Sequence, residues 1–133
     1  MEQIKIPARV DCLDALLDFV DGRMSDAGID VRQQSKVLVA AEEIFINIAS
    51  YAYHPGEGNV VVRAKVETER FVIEFRDCGK PFNPLEAKVP DLNVAARDRL
   101  IGGLGIYMVK KLMDGIFYDY LVGKNVLTII KNK

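Results

Sequence analysis

Cysteine and histidine are scarce in this 133-residue chain, with only Cys12, Cys78 and His54. Two cysteines give no disulfide framework. They suit a reducing compartment, where each is expected to be a small buried hydrophobe. Three scattered ligands fall short of the four that a structural zinc site takes. No apolar run approaches the ~18 residues of a membrane span, and Met1-Glu2-Gln3-Ile4-Lys5 has no apolar signal-peptide core. Excess charge is also missing. Lys and Arg number 18 against 19 Asp and Glu, a formal net charge of -1, which gives no pull toward nucleic acid or anionic lipid. The expectation is a soluble, cytoplasmic protein with no direct nucleic-acid contact and no membrane partner.

What is present is an ordinary globule. Half the residues are hydrophobic and 28% are charged, which excludes disorder and low-complexity fibres. The length predicts a single domain over residues 1–133, large enough to bury a core without a covalent or metal staple.

The hydrophobic period changes along the chain. Ile4 and Ile6 alternate with Lys5 in a short strand ended near Pro7. Leu13, Leu16, Leu17, Val20 and Met24 then recur at helical spacing, with Asp11 as the expected cap and Gly28 as the stop. A longer helix starts after Asp30 and is broken by His54-Pro55-Gly56. Val60, Val62, Ala64 and Val66, then Phe71, Ile73 and Phe75, alternate on either side of Thr68-Glu69 as a hairpin. Gly79 to Ile101 holds three prolines and little periodicity, and a loop this long is expected to be a functional lid. Gly102-Gly103-Leu104-Gly105 opens a third helix, and Phe117–Leu121 with Asn125–Ile130 form a closing hairpin that turns at Val122-Gly123-Lys124. The order β-α-α-β-β-lid-α-β-β predicts an α+β fold. It is a two-layer α/β sandwich, a mostly antiparallel mixed sheet with three helices on one face.

Three places can carry chemistry. Glu43 and Asn47 are four apart and share a helix stripe with Lys36 and Ser50, away from the apolar face of Val37, Ala41, Ile44 and Ile48. The pair is either a carboxylate beside an amide oxygen, suited to a hydroxyl proton and a hard metal ion, or an incidental solvated face. Asp77-Cys78-Gly79 ends a strand. It is either an acceptor for an exocyclic amine, with a glycine that lets a flat ring approach the backbone, or a turn start. The glycines before the third helix leave free N–H groups at a positive dipole end, as a phosphate loop or a lid hinge. No Gly-Lys-Ser/Thr follows, so this is not a Walker A loop. Lys110 and Lys111 fit a helix C-terminus. His54 reads as a solvated loop residue, Met108, Leu112 and Met113 as core, and Cys78 as a small pocket or core residue.

In order, Glu-x-x-x-Asn on a helix, Asp-x-Gly at a strand end, a lid and Gly-x-Gly opening a helix resemble the Bergerat ATP-binding fold over essentially the whole chain. The stretch Gly102 to Asp114 and the closing Asn125 to Lys131 look like the small bacterial anti-sigma factor serine kinases of the RsbW type. The resemblance implies ATP and Mg²⁺ as cofactors, Asn47 as the metal ligand and Glu43 as the general base. It implies Asp77 as acceptor for the adenine amine, Gly79 lining the base pocket, and Gly103, Leu104 and Gly105 at the phosphates. Histidine kinases typically carry asparagine where Glu43 stands, so a hydroxyl acceptor is favoured. The chain also shows no dimerisation helix pair bearing a phosphoacceptor histidine. Ile46 and Ile101 differ from the threonine and the lid arginine found in some members.

The implied function is an ATP-dependent protein-serine kinase that phosphorylates a STAS-type anti-sigma-factor antagonist and sequesters a sigma factor. The alternative is a non-catalytic ATP-binding partner-switching module, which has no need of Glu43. The resemblance also implies a homodimer. Val39 and Ile46, off the main apolar face, either serve such an interface or pack under the first helix.

Overall fold

The computed structural model describes residues 2–54, 56–86 and 104–133. Five strands are present among them: β1 (Glu2–Pro7), β2 (Asn59–Val66), β3 (Arg70–Asp77), β4 (Gly115–Leu121) and β5 (Lys124–Asn132). They form one sheet in the order β1-β2-β3-β5-β4. The α+β sandwich expected from the sequence is the one observed, and every pairing among these strands is antiparallel.

Three helices lie among the described residues: α1 (Leu13–Asp26), α2 (Val31–Tyr51) and α3 (Leu104–Leu112). Asp30 caps α2 as expected, its side chain accepting from the Arg32 N–H at 2.9 Å. Asp11 does not cap α1. A 3-10 turn, Val10–Cys12, precedes that helix, and the Asp11 carboxylate is engaged at 3.1 Å by the Arg9 guanidinium instead. Gly28 follows α1 with a φ of +68°, the left-handed conformation that glycine enters without strain.

Period-two alternation places Val60, Val62, Phe71, Ile73, Phe75, Leu127 and Ile129 on one face of the sheet. They pack in a single cluster with Leu16, Val20 and Met24 of α1, Val37, Ala41, Ile44 and Phe45 of α2, and Val109 of α3. That shared cluster fixes all three helices on one face and, among the described residues, leaves the other without a helix. Val39 and Ile46 are half-buried and lie outside the cluster. Leu38, beside Val39, is the residue packed onto it, so the two were not needed under α1. Met113 is core, whereas Met108 and Leu112 are only half-buried.

The closing hairpin turns on two residues. Val122 (φ 50°) and Gly123 (φ 75°) both have positive φ, and Leu121 pairs with Lys124 across them. Two left-handed residues match the right-handed twist of the flanking strands, so the turn is tighter than the three residues expected. Beneath this hairpin, buried Lys131 donates to the Leu112 carbonyl at 2.8 Å and meets Asp114 at 3.3 Å, satisfying the end of α3.

Candidate functional site

Inward alternation along β3 brings Asp77, its last residue, to the helix side of the sheet, where it is only 6% exposed. A buried carboxylate needs hydrogen bonds. One of its oxygens, Oδ1, accepts from the Gly79 N–H at 2.9 Å and from the Asn125 amide at 3.0 Å. Among the described residues no donor reaches Oδ2. Asp77 lines a cavity of about 460 Å³ with Asn47, Ile44, Ile48, Tyr51 and Ala52 of the α2 side, Ile106 of α3, Tyr118, Asn125 and Leu127 of the sheet, and Lys80 to Phe82.

Gly79 occupies a place that no side chain can share. A Cβ there would strike the Ala52 carbonyl oxygen and lie 2.7 Å from the Ala52 carbonyl carbon. The next residue, Lys80, donates its N–H to that same carbonyl at 3.0 Å. The end of α2 is thereby pinned to the turn after β3, which sets the cavity wall of α2 beside Asp77.

Asn47 faces the cavity and Glu43 is not among its lining residues. Glu43 stands one helical turn nearer the start of α2, half-buried, where a Cβ on Gly105 would come within 2.5 Å of its Oε2. A side chain at the second residue of α3 would therefore displace the Glu43 carboxylate, which glycine leaves in place. Burial, and then the neighbouring Glu42, push the Glu43 carboxyl above its ordinary value. The 1.5 Å rise per residue puts Ala52 and Glu43 about 13 Å apart along α2, with Asn47 between them. One helix thus carries an apolar cavity wall, an amide and a carboxylate in series.

The structure brings Glu43, Asn47, Asp77, Gly79 and Gly105 to this one side of the molecule. Leu104 opens α3. Gly103 lies outside the described residues, as do Ile101 and most of the expected lid; the described part, up to Glu86, includes a 3-10 turn at Pro84–Glu86. Cys78 is neither pocket lining on this face nor core. It is exposed, because β3 ends at inward-facing Asp77 and the next side chain belongs to the outer face.

Asn125 is the site residue that sequence reasoning missed. It is 6% exposed and pairs in register with Asp77 across β3 and β5. Besides Asp77, its amide nitrogen donates to the Lys80 carbonyl at 2.9 Å, and its oxygen accepts from the Phe82 N–H at 3.1 Å and from the Tyr118 hydroxyl. The only local signal was an asparagine after a turn, which is where asparagine is common anyway.

Comparisons with known proteins bear on the family of the chain. The family profile of the histidine kinase-like ATPase domain matches residues 6–131. A serine-protein kinase RsbW of Bacillus mycoides (strain KBAB4) is 27% identical over 129 residues, covering 94% of this chain and 81% of that protein. A serine/threonine-protein kinase BtrW of Bordetella bronchiseptica is 28% identical over 99 residues, covering 74% of this chain and 70% of that one. Among solved structures, the Acinetobacter baumannii histidine kinase AdeS aligns with a TM-score of 0.51 at 14% identity over 99% of this chain and 68% of its own, a likeness of fold. With the profile running nearly end to end over the sheet, the helices and the Asp77 cavity, the chain belongs to the histidine kinase-like ATPase domain family.

Proposed function

We propose that the chain is an ATP-dependent protein-serine kinase that acts as an anti-sigma factor. It transfers the γ-phosphate of ATP to a serine of a STAS-type antagonist and sequesters a sigma factor. The observation that carries this reading is the series on α2. Asp77 offers an open carboxylate oxygen in the cavity, Asn47 faces the same cavity, and Glu43 stands one turn beyond against Gly105. The names of the relatives support the serine specificity.

In this reading Asp77 Oδ2 accepts from the adenine amine, and Gly79 keeps the backbone low enough for the base to lie flat. The free N–H groups at the start of α3, at Leu104 and Gly105, and the preceding Gly103 take phosphate oxygens. The residues present fit Mg²⁺. Among the described residues no group of three His, Cys, Asp or Glu side chains could hold a metal alone, and the Asn47 side-chain oxygen, a hard ligand, would hold the ion at one position. The ion supplies neutralisation of phosphate charge when bound. Glu43 takes the proton of the serine hydroxyl as its oxygen bonds to the γ-phosphorus. The bond from that phosphorus to the bridging oxygen breaks, and ADP leaves. Ile44, Ile48 and Ile106 give the cavity an apolar wall against which a flat base can lie.

Calorimetry with ATP and GTP tests the nucleotide half of the reading. Wild type is expected to prefer ATP. Asp77→Ala leaves the amine unpaired and is expected to lose affinity by roughly 5- to 150-fold, the worth of about 1–3 kcal/mol. Equal binding of the two nucleotides, or full affinity in Asp77→Ala, contradicts it.

A further inference from the structure

The face of the sheet away from the helices carries a second concavity, of about 480 Å³. Its floor and walls follow from strand register. Lys5, Val61 and Arg76 stand in one cross-strand row, and Gln3, Arg63 and Glu74 in the next. Four cations line the groove: Lys5 on β1, Arg63 on β2, Arg76 on β3 and Lys124 at the start of β5. The one carboxylate in these rows, Glu74, is shared between Arg76 and, at 3.6 Å, Arg63. The Nε of Arg63 is buried with no acceptor among the described residues. This is a concentrated positive surface on a chain whose formal net charge is -1.

One end of the groove is built rigidly. The Tyr53 ring fills the place where Gly58 would otherwise carry a Cβ. Its hydroxyl donates to the Asn59 carbonyl at 2.6 Å and accepts from the Cys78 N–H at 2.7 Å. The loop after α2 is thereby tied across the ends of β2 and β3.

We propose that this outer-face groove docks an acidic segment of a partner protein. The cations sit on four neighbouring strands, so they span three inter-strand gaps, about 14 Å. That is too far apart to converge on one phosphate. It suits carboxylates on alternate residues of an extended chain, which recur at about 6.8 Å. Arginine forks match carboxylates in two-point contacts, and Val61 gives the segment an apolar floor. Buried Asp77 borders this groove as well as its own cavity, but none of the four cations lines that cavity, so the proposal does not depend on the kinase reading.

Fluorescence anisotropy with a labelled oligoglutamate peptide tests it, with oligoglutamine and inorganic pyrophosphate as competitors. Lys5 and Lys124 are exposed, so charge reversal there spares the core. Oligoglutamate is expected to bind wild type with an affinity that falls as salt rises. It should bind the Lys5→Glu/Lys124→Glu variant at least about tenfold more weakly. The charge-matched Lys65→Glu/Lys133→Glu variant should bind as wild type, and both variants should keep wild-type melting and ATP affinity. Absence of oligoglutamate binding, or equal weakening in both variants, overturns the proposal. So does a groove that takes pyrophosphate alone, or one closed by a second copy, seen as a dimer that Lys5→Glu/Lys124→Glu dissociates in sedimentation.

Discussion

Glu43 pays for its placement in stability. Burial and Glu42 raise its folded-state pKa above the ordinary value, so the folded protein holds that proton more tightly than the unfolded chain does. A group of this kind lowers stability as pH rises through the folded pKa, and its effect is absent below the unfolded pKa. Glu43→Gln, which removes the charge and keeps the shape, is therefore expected to raise Tm at pH 7. The gain should shrink to nothing as pH falls below the ordinary carboxylate range. Thermal melts of the two proteins across that pH interval check the sign; a variant less stable at pH 7, or a gain that grows on acidification, contradicts it. The same raised pKa suits a proton acceptor, which must be ionised near neutrality and still bind a proton when one is offered.

At the scale of elements, the decisive contact is between the end of α2 and the turn after β3. Gly79→Ala pushes a methyl group into the Ala52 backbone, which cannot swing aside as a side-chain tip would. The expected cost is about 1–3 kcal/mol in denaturant unfolding, with weakened ATP binding because the Asp77 turn moves. Gly22→Ala, within α1, meets nothing within 4 Å and is expected to stabilise by about 0.5–1 kcal/mol. Equal effects in the two variants would show that the Ala52 contact does not set the turn. This contact was half legible in the sequence. Asp77-Cys78-Gly79 at a strand end announced a turn with a special glycine, but Ala52 lies on another element and nothing local pointed to it. Caps were read with mixed success for a similar reason. Asp30 had no competitor for its carboxylate, whereas Asp11 had Arg9 two residues away.

Across the whole molecule, the fold was legible because its signals are local: period two in β1, β2 and β3, helical period in α1 and α2, and breakers between them. The order of strands was less so, since β5 inserts between β3 and β4, a choice made by long-range pairing. Asn125 became a site residue through that pairing alone. The residue that shares hydrogen bonds with Asp77 is 48 positions away in sequence. The Glu43–Asn47 pair needed only helical geometry and was visible at once. In the proposed reading, this arrangement moves a phosphoryl group and does more than hold a nucleotide. The most direct measurement is single-turnover transfer of labelled γ-phosphate from Mg-ATP to a STAS-type antagonist, with ATP titrations of the same proteins. Wild type is expected to label one serine. Glu43→Ala should bind ATP within a few-fold of wild type yet transfer about 10²–10⁴ more slowly, the usual worth of a positioned base. Wild-type transfer rates in Glu43→Ala, or no labelling by wild type of any serine partner, would contradict the account.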